Sequence, residues 1–181
     1  MGKRQEKLDS TQIEFITQQK IFFVATAMRD GSINLSPKGM DSFRIIDAKK
    51  VLWLNLTGSG NETATHLQYD KRMTIMFCAF EGKPVILRLY GEALVFHERD
   101  SFWKEHIGLF PEIAGSRQLI EMSINLVQSS CGMGVPLMEY REERNLLNVW
   151  AEKKGKDGLI EYMGMKNTNS LDGLPTGIFD G

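Results

Sequence analysis

An almost wholly apolar run, Val51 to Leu56, leads through Thr57 into Gly58-Ser59-Gly60 and then into Asn61, at the head of a short helix expected over 61–69. Glycines let successive backbone N–H groups turn toward one point, and a helix N-terminus adds partial positive charge. That combination can hold a phosphate without many basic side chains. The same residues also describe a flexible turn followed by an asparagine helix cap. Two familiar phosphate loops are excluded. No Gly-Lys-Ser/Thr closes the segment, so it is not a Walker loop. Thr63 stands where a dinucleotide fingerprint has its third glycine, and the flanking pattern is not β-α-β.

A second stretch with chemical content is Asn34 to Gly39, NLSPKG. Pro37 cannot donate to a strand ladder, so this end of the strand leaves the sheet or lies on its edge. Either arrangement frees groups near Ser36 and Lys38 to meet a polar heterocycle. Lys38 can face an anion or an electron-rich ring; it can equally be a solvated lysine at a strand end. Arg88 lies inside an apolar strand and needs a partner, either a bound anion or an acid such as Glu92. His66, His97 and His106 are too far apart for a short metal spacing, and no metal site is expected. His66, on the short helix, is expected on a solvated face, with a place beside the phosphate as the alternative. Cys78 reads as a buried packing residue and Cys131 as more exposed.

These residues must be positioned by strands. Runs at 20–28, 32–36, 42–46, 51–56, 73–80, 85–96 and 121–127 are rich in β-branched and aromatic residues or alternate polar with apolar. Asp30-Gly31 is a hairpin turn signal, and Gly91 inside the long 85–96 strand marks a bulge or bend. Helices are expected after a Thr11–Glu14 capping box, at 61–69, at 100–107 and at 137–154, the last closed by Gly155. Residues 1–155 then form one domain. Residues 156–181 form a loop-like tail packed on that domain or on a partner subunit. Tight turns between strands, with few helices, describe an antiparallel sheet closing into a barrel.

The 181 residues carry 42% hydrophobic and 25% charged side chains with a net charge of −1. That is enough for one full core, and it argues against both disorder and a nucleic-acid footprint. No apolar run reaches the roughly 20 residues of a membrane span, and the two cysteines make no disulfide scaffold. No signal peptide is recognised at the start, so a cytoplasmic protein is expected.

Three segments in order, FFVATAMRDGSINLSPKG, VLWLNLTGSGNETATHLQYDKRMTIMF and VILRLYGEALVF, resemble the pyridoxamine 5'-phosphate oxidase-like FMN-binding split barrels. The later SSCGMGVPLMEY resembles an uncharacterised branch of that group. The resemblance implies a mainly β, antiparallel six-stranded split barrel that forms a homodimer, with FMN between the subunits. It places Ser36, Pro37 and Lys38 beside the flavin ring, with Lys38 as the catalytic residue. It places Asn55, Leu56 and Thr57 along the ring and ribityl chain, and Gly60, Asn61 and Thr63 at the phosphate. The family's basic pair at the phosphate is replaced here by Glu62 and Thr63, and Arg88 is the candidate for the missing charge. The implied activity is an FMN-dependent oxidoreductase acting on a small molecule, with NAD(P)H as a candidate electron donor. The alternatives are a non-enzymatic flavin-binding protein or a barrel for another planar cofactor, a deazaflavin or haem.

Overall fold

The computed structural model describes residues 2–180. Its strands are β1 (Lys3–Gln5), β2 (Phe22–Ala27), β3 (Ile33–Lys38), β4 (Phe43–Asp47), β5 (Lys50–Leu56), β6 (Arg72–Cys78), β7 (Val85–His97) and β8 (Ser116–Cys131). The helices are α1 (Ser10–Gln18), α2 (Glu62–Tyr69), α3 (Ser101–His106) and α4 (Leu146–Lys166). All pairings are antiparallel, in the order β3-β2-β6-β7-β8-β5-β4, with β1 added along β8. The sheet therefore has eight strands where the resemblance implied six. No pairing closes β3 onto β4 among the described residues.

The strip nonetheless curls into a barrel. Phe22 in β2 and Phe43 in β4 come from opposite ends of the order, yet their ring centroids are 5.0 Å apart. Phe77 and Trp53 complete this inner aromatic layer, at 5.9 and 6.3 Å from Phe22. Burying such rings supplies a large share of the core's hydrophobic stabilisation. A second cluster, Leu52, Leu54, Leu119, Trp103 and Phe110, fills the space between the other face of β5 and β8 and the α3 region.

Several local expectations shift. The first helix starts earlier, because Asp9 is the N-cap: its carboxylate accepts from the Gln12 N–H at 2.9 Å, and the Gln12 side chain accepts from the Asp9 N–H at 3.1 Å. Thr11 and Glu14 sit inside the helix instead. Residues 137–145 are exposed and non-helical, so the expected 137–154 helix begins only at Leu146. Those residues remain exposed, and tertiary burial is what sustains most helices. Gly155 does take a positive φ of 67°, as a helix stop would, but a second helical run starts at once and reaches Lys166. Tyr162 in that run packs edge-on to Trp150 at 4.9 Å, which explains why 156–166 is helix where a loop was expected. Beyond it, Asn167, Thr176 and Ile178 are buried on the sheet domain. No helix among the described residues is long and apolar enough to cross a membrane.

Candidate functional site

The end of β5 and the start of α2 build the glycine-rich turn. Thr57 anchors its entry: its backbone N–H and its hydroxyl both donate to the Gly115 carbonyl, at 2.7 and 2.9 Å. Asn55 donates to Gln118 Oε1 at 3.0 Å. The side chains of Asn55 and Thr57 are thus engaged with the strand leading into β8 and with β8 itself. Asn61 occupies the N-cap position of α2 but makes no capping bond, and both its side-chain polar atoms are buried without a partner. The backbone N–H groups of Gly58, Ser59, Gly60 and Asn61 find no acceptor among the described residues. The first helical N–H groups, of Glu62 and Thr63, are unpaired as at any helix start. The Glu62 carboxylate turns aside and accepts from the Leu171 N–H at 3.0 Å.

Behind this turn lies Arg117, which the sequence reading missed. It is 7% exposed, and its Nη1 donates to the Gly60 carbonyl at 3.1 Å and to Asn167 Oδ1 at 2.8 Å. No carboxylate lies within ion-pair distance of it among the described residues. Burial holds its pKa down to about 10, so the guanidinium stays charged at neutral pH. The strand was expected to begin at residue 121, because Ser116-Arg117-Gln118 is polar. Pairing with β5 and β7 extends it back to Ser116 and buries the arginine.

A hydrogen-bonded chain joins the turn to β3. Asn34 donates to Thr63 Oγ1 at 3.1 Å and to Thr26 Oγ1 at 3.2 Å, while Ser36 donates to Asn34 Oδ1 at 2.9 Å. Thr26 Oγ1 lies 3.0 Å from His66 Nδ1. His66 is fully buried, not solvated, and its Nε2 is unpartnered. Because Thr63 Oγ1 already accepts from Asn34, its own O–H is the part free for a ligand.

Lys38 shares the inner face of β3 with Asn34 and Ser36, and its Nζ sits 4.9 Å from the Trp53 ring centroid. Pro37 points to the opposite, exposed face of this edge strand. Lys38 is less solvated than a strand-end lysine should be. Desolvation first, and the Arg117 charge second, pull its pKa from 10.5 to about 8. A lysine depressed on folding contributes stability that is fully present above pH 10.5 and lost as the pH falls through 8. We therefore expect Lys38→Met to melt above wild type at pH 7, and the gap to shrink toward pH 10. Melting curves of both proteins at the two pH values test this; a gap independent of pH would reject the titration. Arg88 stands apart: it donates to Ser130 Oγ at 3.2 Å, makes no ion pair with Glu92, and makes no hydrogen bond to the turn.

Among the described residues, Asn61, His66, Arg117, Gln118 and Asn148 keep buried side-chain atoms unpaired, and the first four belong to the turn, to α2 or to the strand behind it. An orphaned buried polar group costs about 1–3 kcal/mol, so this concentration of them marks the turn and its surroundings as the candidate site for a polar ligand. An open cleft of about 1130 Å³ lies elsewhere, lined by Phe15, Phe80, Val85 and Tyr140. It holds none of those unpaired atoms and none of the site residues expected from sequence.

An antiparallel sheet in this order, curled on itself around an aromatic layer, is a split-barrel fold. The family model for pyridoxamine 5'-phosphate oxidase matches residues 8–131. The Aspergillus flavus pyridoxamine 5'-phosphate oxidase family protein ustO is 35% identical over 188 residues, covering 94% of this chain and 76% of its own. Among solved structures, a proposed pyridoxamine 5'-phosphate oxidase from Lactobacillus delbrueckii aligns with TM-score 0.53 and 19% identity, over 68% of this chain and 98% of its own. Group A Streptococcus HupZ aligns with TM-score 0.51 and 18% identity, over 66% and 92%. The chain belongs to the pyridoxamine 5'-phosphate oxidase family.

Proposed function

We propose that this protein binds FMN and acts as a flavin oxidoreductase on a small molecule, as a homodimer with the cofactor near the subunit boundary. The observation that carries the reading is the Gly58–Thr63 turn: unpaired N–H groups, an unpartnered buried Asn61, and a buried, unneutralised Arg117 behind it. These residues fit a phosphate monoester. Gly60, Asn61 and Thr63 would hold the phosphate. The backbone at Asn55, Leu56 and Thr57 would flank the ring and ribityl chain, since the Asn55 and Thr57 side chains already have partners. Ser36 and Lys38 would face the ring from β3, with Pro37 on the other side of the strand.

When bound, the flavin supplies two-electron redox chemistry that no side chain can perform. The chain contributes position, exclusion of water and a cation. Lys38, close to its own pKa near neutrality, can hold or release a proton at Nζ beside the ring. No separate general base is required for hydride transfer between aligned partners.

Exposed apolar residues support the dimer. Ile33 and Leu35 project from the outer face of edge strand β3, and Met133 and Leu137 from the extended arm. Sedimentation should give roughly 41 kDa, twice the 20.6 kDa chain mass, for a two-fold assembly.

Purified protein should be yellow with flavin absorbance, and anaerobic NAD(P)H should bleach it. Protein that binds neither FMN nor riboflavin overturns the reading. Yellow protein that no nicotinamide or candidate substrate reduces would instead be a non-enzymatic flavin-binding protein.

A further inference from the structure

The C-terminal segment is built into the same turn. Asn167 Nδ2 donates to the Gly58 carbonyl at 2.9 Å, and Asn167 Oδ1 accepts from Arg117 Nη1 at 2.8 Å. The same Arg117 nitrogen reaches the Gly60 carbonyl at 3.1 Å. Asn167 is itself fully buried, and the Thr176 hydroxyl donates to its carbonyl at 2.5 Å. The backbone N–H of Leu171 is tied to Glu62, Thr65 and Gln68 both donate to the Pro175 carbonyl, and the Ser32 hydroxyl and N–H donate to Asp172. The segment thus ties together the turn, α2 and the β2–β3 hairpin.

Peptide geometry turns this clamp into a directional device. Every peptide bond described here is trans, so a carbonyl and the N–H that follows it point in opposite directions. If the Gly58 carbonyl is held by Asn167, the Ser59 N–H must point away from Asn167. If the Gly60 carbonyl is held by Arg117, the Asn61 N–H must point away from Arg117. Neither N–H group has an acceptor among the described residues. A cation at the carbonyl end of a peptide polarises it and strengthens the donor at the other end, more so at low dielectric.

We propose that Arg117 and Asn167 are positioning residues for a bound phosphate monoester: they act through the Gly58–Ser59 and Gly60–Asn61 peptides to aim two polarised N–H donors at it. Arg117 then supplies the charge that Glu62 and Thr63 do not, from behind the turn and without touching the ligand. The C-terminal segment is part of the binding site, although it lies more than 100 residues along the chain from the turn. This inference rests on the FMN reading for the identity of the anion.

The test uses the full chain and three variants: Asn167→Ala, Arg117→Lys and Arg117→Met. FMN and riboflavin are titrated into each, since only FMN carries the phosphate. Amide hydrogen exchange of residues 58–69 is followed without ligand, because the Ala64 and Thr65 N–H groups bond to the Asn61 carbonyl. Asn167→Ala should reduce the preference for FMN over riboflavin about tenfold, while riboflavin affinity holds. Exchange across 58–69 should quicken several-fold. Arg117→Lys keeps the charge but not the planar fork and should lose part of the preference. Arg117→Met should lose most of it; if that variant does not fold, Asn167→Ala decides. An unchanged preference or unchanged exchange in Asn167→Ala overturns the proposal. An equal loss of both flavins with a lower apo melting temperature also overturns it, because that is a purely structural role. A wild type that binds neither flavin overturns the FMN reading alone; inorganic phosphate titrated into wild type and Asn167→Ala then decides the clamp, and equal affinity for phosphate in the two overturns it.

Discussion

Alanine at both Asn61 and Thr63 should weaken FMN binding on the order of a hundredfold or more, with riboflavin binding nearly unchanged. On the proposed phosphate reading, each change removes a donor to a charged acceptor, worth about 1.5–3 kcal/mol per bond. Asn61 has no structural partner, and the one bond Thr63 makes is replaceable. Asn61 makes no capping bond, and Thr63 only accepts from Asn34, which keeps a second acceptor in Thr26. Removing Asn61 takes two unpaired buried atoms out of the protein, so the apo form of the variant should melt no lower than wild type. The pairing of looser FMN with an undiminished apo melt is the signature of a ligand residue. Fluorescence titration with each flavin and apo melting curves provide the check; equal weakening for both flavins would remove the phosphate from this turn.

The second large effect concerns the scaffold. Gly91→Ala should destabilise the protein by about 3 kcal/mol or more. A Cβ there would sit 1.9 Å from the Ser123 carbonyl oxygen and 2.9 Å from its carbon, both backbone atoms of the neighbouring strand. The β7–β8 register shifts between Tyr90 and Gly91, so the close approach belongs to a bulge in the longest ladder of the sheet. A chain of this length should lose roughly 6–12 °C in melting temperature for that destabilisation. Gly134→Ala is the control: nothing lies within 4 Å of its Cβ position, and its melt should match wild type within about 2 °C. A Gly91→Ala melt equal to the control would mean that β7 and β8 can separate there at little cost.

Much of this molecule was legible without coordinates. Strand periodicity located seven of the strands to within a few residues, because a half-buried strand must alternate and a fully buried one must be apolar. The bulge at Gly91 was legible because only glycine lets a neighbouring backbone come so close. The turn at Gly58–Asn61 was legible because its residue types are chosen for local conformation. Tertiary packing decided the rest. The three-residue β1 carries no periodicity and exists because β8 offers it an edge. Residues 137–145 have helix-forming composition but stay exposed and non-helical, whereas 156–166 follow a glycine stop yet gain Trp150 as a neighbour. His66 reads as a polar helix residue until β2 covers it and supplies Thr26.

Charge placement shows the division most clearly. From sequence, Arg88 was the arginine in an apolar strand and the natural candidate for an anion; in the structure it meets Ser130 at the other end of β8. Arg117 stood in a polar stretch that gave no sign of burial. It became a buried cation only when β5 and β7 drew it into the ladder and Asn167 returned from the far end of the chain. Local conformation follows from residue type, since sterics and backbone freedom act over a few residues. Which charge ends up desolvated beside which carbonyl depends on segments distant in sequence, and the folded structure alone brings those together.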